Sequence, residues 1–137
     1  MIHLSPDAES GIRAEGEKAY PHECCGFLLG LTDEEGGRTV TEIQPVENSR
    51  EEEARRRRFR IEPDDFMRVE RQARAGNLEV VGFYHSHPDH PALPSEHDLA
   101  DALPYYSYVI VAVSGGAVAA LTSWELSVDR AQFNQEL

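Results

Sequence analysis

Apolar residues in this chain gather in three discrete clusters, at 25–31, 78–84 and 108–121, and that grouping constrains the fold more than any other feature. None approaches the roughly 20 consecutive apolar residues that span a bilayer. Two are the length of a single buried strand, and the third is split by Gly115–Gly116 into a pair. Helical patterns separate them. Strand clusters alternating with helices predict an α/β core, a mixed sheet flanked by helices. The 137 residues suit one domain, 1–137, with neither repeats nor a linker.

The elements follow from local signals. Residues 5–20 read as a helix: Ser5 suits the N-cap, Pro6 the first helical position and Asp7 the first turn, and Pro21 stops it. CCGFLLGL (24–31) and the alternating TVTEIQPV (39–46) flank a DEEGG turn and predict a hairpin. The acid and arginine blocks of 47–60 show no apolar face and predict an exposed, mobile loop. PDDFMRVERQARAGN (63–77) is the clearest helix, with Phe66, Val69 and Ala73 on one face. EVVGFYHSH (79–87) reads as a buried strand, followed by a Pro-rich loop and a short helix at about 95–103. Segments 106–114 and 117–126 form a second hairpin, and the polar last ten residues either close an edge or stay loose. The expected order is α-β-β-α-β-α-β-β.

Charge narrows the partners. A formal net charge of −12 disfavours nucleic acid and anionic membrane. The run Arg55, Arg56, Arg57, Arg58 and Arg60 runs against that, but Glu51, Glu52 and Glu53 sit beside it, so a solvated loop is the first reading and docking of an acidic protein the second. The two cysteines, Cys24 and Cys25, are adjacent and too few for a secreted disulfide framework. Cys25, against Gly26 in an apolar run, reads as packing. With no basic and apolar leader in MIHLSPDAES, the expected location is cytoplasmic.

The chemistry concentrates in FYHSHPDHPALPSEHD (83–98). Alternate strand residues share a face, so His85 and His87 point one way and Ser86 the other. Two imidazoles on one face can share a metal, though this spacing alone weighs a metal role and a structural role equally. Asp98, in the first turn of the next helix, offers a carboxylate. Two histidines and a carboxylate leave one position of a tetrahedral zinc site for water. Ser95 and Asp98 also read as an N-capping pair, and a carboxylate has two oxygens, so capping and ligation are compatible. His90 and His97 read as solvated loop residues. A proton acceptor is still needed, and Glu23, just ahead of an apolar strand, is the candidate; taken by itself such a residue is more often a surface residue where the strand begins. The absence of Cys-x-x-Cys argues against a zinc deaminase site.

PHECCGFLLG (21–30) followed by HSHPDHPALPSEHD (85–98) resembles the JAMM motif of the MPN/JAB-domain metalloproteases. In that pattern a Glu precedes a small-Gly-apolar strand, and H-x-H-P is followed after six residues by S-x-x-D. Glu23, His85, His87, Ser95 and Asp98 all match it, and none is substituted. The resemblance implies a cytidine-deaminase-like mixed sheet with His85, His87 and Asp98 on Zn²⁺. It implies Glu23 as general base toward water at the zinc, and Ser95 as hydrogen-bond donor to the developing oxyanion. It further implies a peptidase or isopeptidase acting at the C-terminal tail of a ubiquitin-like protein. For a chain this short, it points to a sulfur-carrier protein with a Gly-Gly tail, which could add as an extended strand at a sheet edge. A non-catalytic MPN-type binding scaffold and a zinc hydrolase of small amides are the competing functions, and the oligomeric state stays open.

Overall fold

The computed structural model describes residues 1–48, 63–127, 129 and 131–137. Of the loop expected over 47–60, only Glu47 and Asn48 are among them; the arginine run lies outside the described residues. The chain runs β1 (Ile2–Leu4), α1 (Pro6–Ala19), β2 (Cys25–Thr32), β3 (Arg38–Val46), α2 (Pro63–Ala75), β4 (Glu79–Pro88), α3 (Glu96–Asp101), β5 (Ser107–Ser114), β6 (Ala117–Leu126) and β7 (Phe133–Gln135).

These strands form one sheet in the order β1-β3-β2-β4-β5-β6-β7. β1 with β3 and β4 with β5 are parallel; the other neighbours are antiparallel. The sheet is therefore mixed, as expected from the sequence. The two three-residue outer strands, β1 and β7, extend the expected order. Neither is long enough to show a period, and each exists because a neighbouring edge supplies its hydrogen bonds.

Alternation along the strands divides the core between the two faces. Leu28 and Tyr84 pack with Ala8 and Ile12 of α1. Phe27, Leu29 and Phe83 face the other way and pack with Val69 and Ala73 of α2. On α1, Ala8, Ile12 and Gly16 recur every four residues and are its buried face. Ser5 caps this helix, accepting the Ala8 N–H at 3.1 Å. Burying a side chain as completely as Ile12 or Val69 contributes about 1.5–3 kcal/mol.

Two glycines allow close approaches that place the central strands. A methyl at Gly82 would run into the backbone of Ser107, where β4 and β5 begin their parallel ladder. A methyl at Gly26 would enter the ring of the fully buried Tyr84 across the β2–β4 ladder. Both hairpins turn where the sequence predicts, with Gly36, Gly115 and Gly116 at positive φ.

Candidate metal centre

The candidate site lies where the β2–β4 ladder ends. Cys25 pairs with His85, so alternation sends Glu23, two residues before Cys25, to the imidazole face beside His87. The Glu23 carboxylate and the ring nitrogens of His85 and His87 offer atoms that all lie within 4.8 Å of one another. All three residues are buried. Glu23 is thus not a surface residue at the strand's start.

Asp98 arrives from the other side. Beyond Pro88 the chain loops back, and α3 begins at Glu96 with Ser95 as its N-cap. The capping box is complete: Ser95 Oγ accepts the Asp98 N–H at 3.1 Å, and Asp98 Oδ2 accepts the Ser95 N–H at 2.8 Å. This reciprocal pair aims the carboxylate at the histidines. Asp98 Oδ1 lies 3.2 Å from His85 Nε2, Oδ2 lies 3.2 Å from His87 Nε2, and the two Nε2 atoms are 3.2 Å apart. Tetrahedral zinc with bonds of about 2.0–2.1 Å has donor–donor edges of about 3.3–3.4 Å. The Nε2–Nε2 separation is close to such an edge, and each imidazole has a different oxygen of the Asp98 carboxylate at a similar distance, a donor set that suits a small divalent ion.

The tautomer of His87 suits the same role. Its Nδ1 lies 2.9 Å from the Pro91 carbonyl. A carbonyl only accepts, so Nδ1 carries a proton, and in the neutral ring Nε2 is the nitrogen left to offer its lone pair to an ion.

Electrostatics mark the cluster as a concentrated conflict of charge. Burial pushes the Glu23 carboxyl up to about 8; His87 opposes this shift and Asp98 adds to it. Burial also acts to raise Asp98, but the His85 and His87 imidazoles and the Ser95 N–H win and hold it well below the usual carboxylate range. His85 is lowered by burial, with Asp98 opposing. His87 is raised: burial lowers it, but Asp98, the Pro91 carbonyl and Glu23 outweigh that. Two buried carboxylates pushed in opposite directions beside two imidazoles form the pattern by which one site separates an acid–base group from an anionic one.

The remaining titratable candidates stand apart. His90 and His97 are exposed. Cys24 and Cys25 are buried free thiols, and burial pushes Cys24 up to about 11 and Cys25 higher still. Among the described residues, no helix is long and apolar enough to cross a membrane.

Several supporting contacts have no signal in the sequence. Asp89, at positive φ, accepts the Tyr20 hydroxyl at 2.6 Å and the Gly115 N–H at 2.9 Å, and its own N–H donates to the Val113 carbonyl at 2.7 Å. It ties the chain just before Glu23 to the chain just after His87. Ser86 and Asn48 hold the backbone at Glu23. Each of these pairs joins segments remote in sequence, so no spacing rule reaches them.

Comparison with known proteins gives one consistent family. A family model described as prokaryotic homologs of the JAB domain matches residues 5–127. A desampylase of Haloferax volcanii is 32% identical over 123 residues, covering 86% of this chain and 85% of that protein. A desampylase of Pyrococcus furiosus is 32% identical over 77 residues, covering 56% of this chain and 49% of that protein. Among solved structures, a protein of Salinibacter ruber has 45% identity and a TM-score of 0.77, covering 98% of this chain and 88% of its own. A protein of Desulfitobacterium hafniense has 26% identity and a TM-score of 0.85, covering 99% and 90%. A JAB1/MPN domain protein of Archaeoglobus fulgidus, at 18% identity and a TM-score of 0.56 over 90% and 88%, shares the fold.

Proposed function

This chain belongs to the prokaryotic JAB-domain family, and from that premise we propose that it is a zinc-dependent isopeptidase-type hydrolase cutting an amide bond at the C-terminal tail of a ubiquitin-like protein. The observation that carries the reading is the spacing of His85, His87 and Asp98, at 3.2 Å from one another with Glu23 buried beside them. The kinship with two desampylases supports the substrate class. Within that class, a sulfur-carrier protein ending in Gly-Gly is the substrate we propose. Of the sheet's two faces, the one bearing His85 and His87 would take its tail.

His85 and His87 through Nε2, and Asp98 through a carboxylate oxygen, would hold the ion. A bound divalent zinc ion supplies Lewis acidity, lowering the pKa of water toward 7 and polarising a carbonyl. Glu23 is the group that moves protons. Its carboxylate takes one proton from the attacking water as the oxygen adds to the scissile carbonyl carbon. It returns that proton to the departing nitrogen as the C–N bond breaks, so the amine leaves neutral. Burial alone favours the protonated form of Glu23, and a nearby cation shifts it back toward the carboxylate that a base must be. Ser95 Oγ accepts the Asp98 N–H, which leaves its O–H to donate to the carbonyl oxygen as negative charge builds there.

The test has two parts. Zinc is measured on tag-free protein, wild type beside His85→Ala and Asp98→Ala, with about one ion per wild-type chain and loss in both variants expected. Cleavage is then followed on a folded carrier protein whose Gly-Gly terminus is joined to one further residue, with a short Gly-Gly-Xaa peptide as control. Glu23→Gln should keep zinc and lose cleavage. A folded wild-type chain that takes up no zinc would remove the mechanism and leave a binding scaffold. Equal cleavage of the short peptide would point to a hydrolase of small amides.

A further inference from the structure

A buried carboxylate can serve as a base only if its backbone cannot drift, and two side chains converge on the backbone of Glu23. The peptide unit between Glu23 and Cys24 has one carbonyl oxygen and one N–H. Asn48 Nδ2 donates to the Glu23 carbonyl at 3.3 Å. Ser86 Oγ accepts the Cys24 N–H at 2.8 Å. The two polar atoms of one peptide plane are therefore gripped from opposite sides by two buried side chains, one two residues beyond the end of β3 and one in β4.

The Ser86 contact is a substitution within the ladder. After the Cys25–His85 pair, the next antiparallel pair would be Cys24 with Ser86, exchanging two backbone hydrogen bonds. One is made, from Ser86 N–H to the Cys24 carbonyl at 3.2 Å. The other goes to the Ser86 hydroxyl instead of its carbonyl. Strand β4 thereby presents both imidazoles on one face and, from the residue between them, the anchor of the Glu23 backbone.

We propose that Asn48 and Ser86 are positioning residues for Glu23, locking the Glu23–Cys24 peptide so that the Glu23 carboxylate is aimed beside His87. The proposal rests on the reading of Glu23 as the base. A lapse of about 1 Å in such a group costs on the order of 100-fold in rate, so Asn48→Ala and Ser86→Ala should each lower kcat by roughly 10- to 100-fold. KM should stay within about twofold and zinc near one per chain, because neither side chain is placed among the ligands.

The experiment uses the carrier–Gly-Gly–Xaa fusion as probe. It compares wild type, Asn48→Ala, Ser86→Ala and Ser86→Thr, each also in a Glu23→Gln background. Ser86→Thr keeps the hydroxyl and should restore kcat. In the Glu23→Gln background the same substitutions should change residual activity little, because there is no base left to aim. If Ser86→Ala does not fold, Asn48→Ala and Ser86→Thr carry the comparison. Unchanged kcat in folded, zinc-loaded Asn48→Ala and Ser86→Ala would overturn the proposal. So would losses of equal size in the presence and absence of Glu23, which mark a merely structural role. Full activity in Glu23→Gln alone would instead remove the base assignment, and the positioning proposal with it.

Discussion

Replacing Glu23 by Gln should stabilise the metal-free protein at neutral and mildly alkaline pH, and the size of the effect follows from its burial. In the unfolded chain this carboxyl has the ordinary value of 4.5, and in the folded state it is pushed up to about 8. Between those values the folded protein holds a proton that the unfolded chain has released, so stability falls as pH rises. The slope approaches about 1.4 kcal/mol per pH unit, so raising the pH from about 5 to 7 costs roughly 3 kcal/mol. This contribution is fully present below 4.5 and lost as pH climbs through about 8. Gln cannot ionise and escapes the loss. Asp98 titrates in the opposite sense and at lower pH, so it stays ionised in both proteins across the range compared. The assay is urea denaturation of chelator-treated wild type and Glu23→Gln at several pH values from about 5 to 8. Wild type should weaken steadily relative to the variant, and saturating zinc should narrow the gap by favouring the carboxylate. Two stability profiles that stay parallel across that range would refute the reasoning, because they would mean that Glu23 pays no penalty for ionising where it sits.

Other consequences can be checked separately. Asp98→Asn should destabilise the metal-free protein by about 3 kcal/mol near pH 7 by leaving the buried, charged His87 imidazole without its anion. Because the folded carboxyl is held below its ordinary 3.8, wild type should lose that advantage as pH drops under about 4, which acid titration followed by circular dichroism would reveal. Gly26→Ala drives a methyl into the buried Tyr84 ring and should cost about 1–3 kcal/mol in a urea melt. Cys24 and Cys25 are buried with raised thiol values, so a thiol-specific chromogenic reagent at pH 8 should label neither in the native protein and both in denaturant.

Some of this molecule is legible because it depends on local geometry. The strand period of two puts His85 and His87 on one face whatever lies beyond them. Ser5 before Pro6, and Ser95 three residues before Asp98, announce helix starts because a cap is satisfied within one turn. The paired glycines at 115 and 116 announce a turn because they adopt positive φ without a Cβ penalty. The mixed sheet between helices follows from apolar runs of strand length. The motif resemblance drew attention to Glu23, but its local sequence by itself favours a surface position. Its burial beside His87 exists only because β2 and β4, far apart in the chain, pair with Cys25 opposite His85. Tertiary structure alone likewise recruits β1 and β7 to the sheet, turns one Asp98 carboxylate toward both imidazoles while it caps a helix, and brings Asn48 and Ser86 to one peptide plane. The physical reason is common to all of these. Periodicity and capping are settled by neighbours a few bonds away, whereas register between distant strands is settled by the packing of the whole core, and a site assembled across that register inherits its geometry from it.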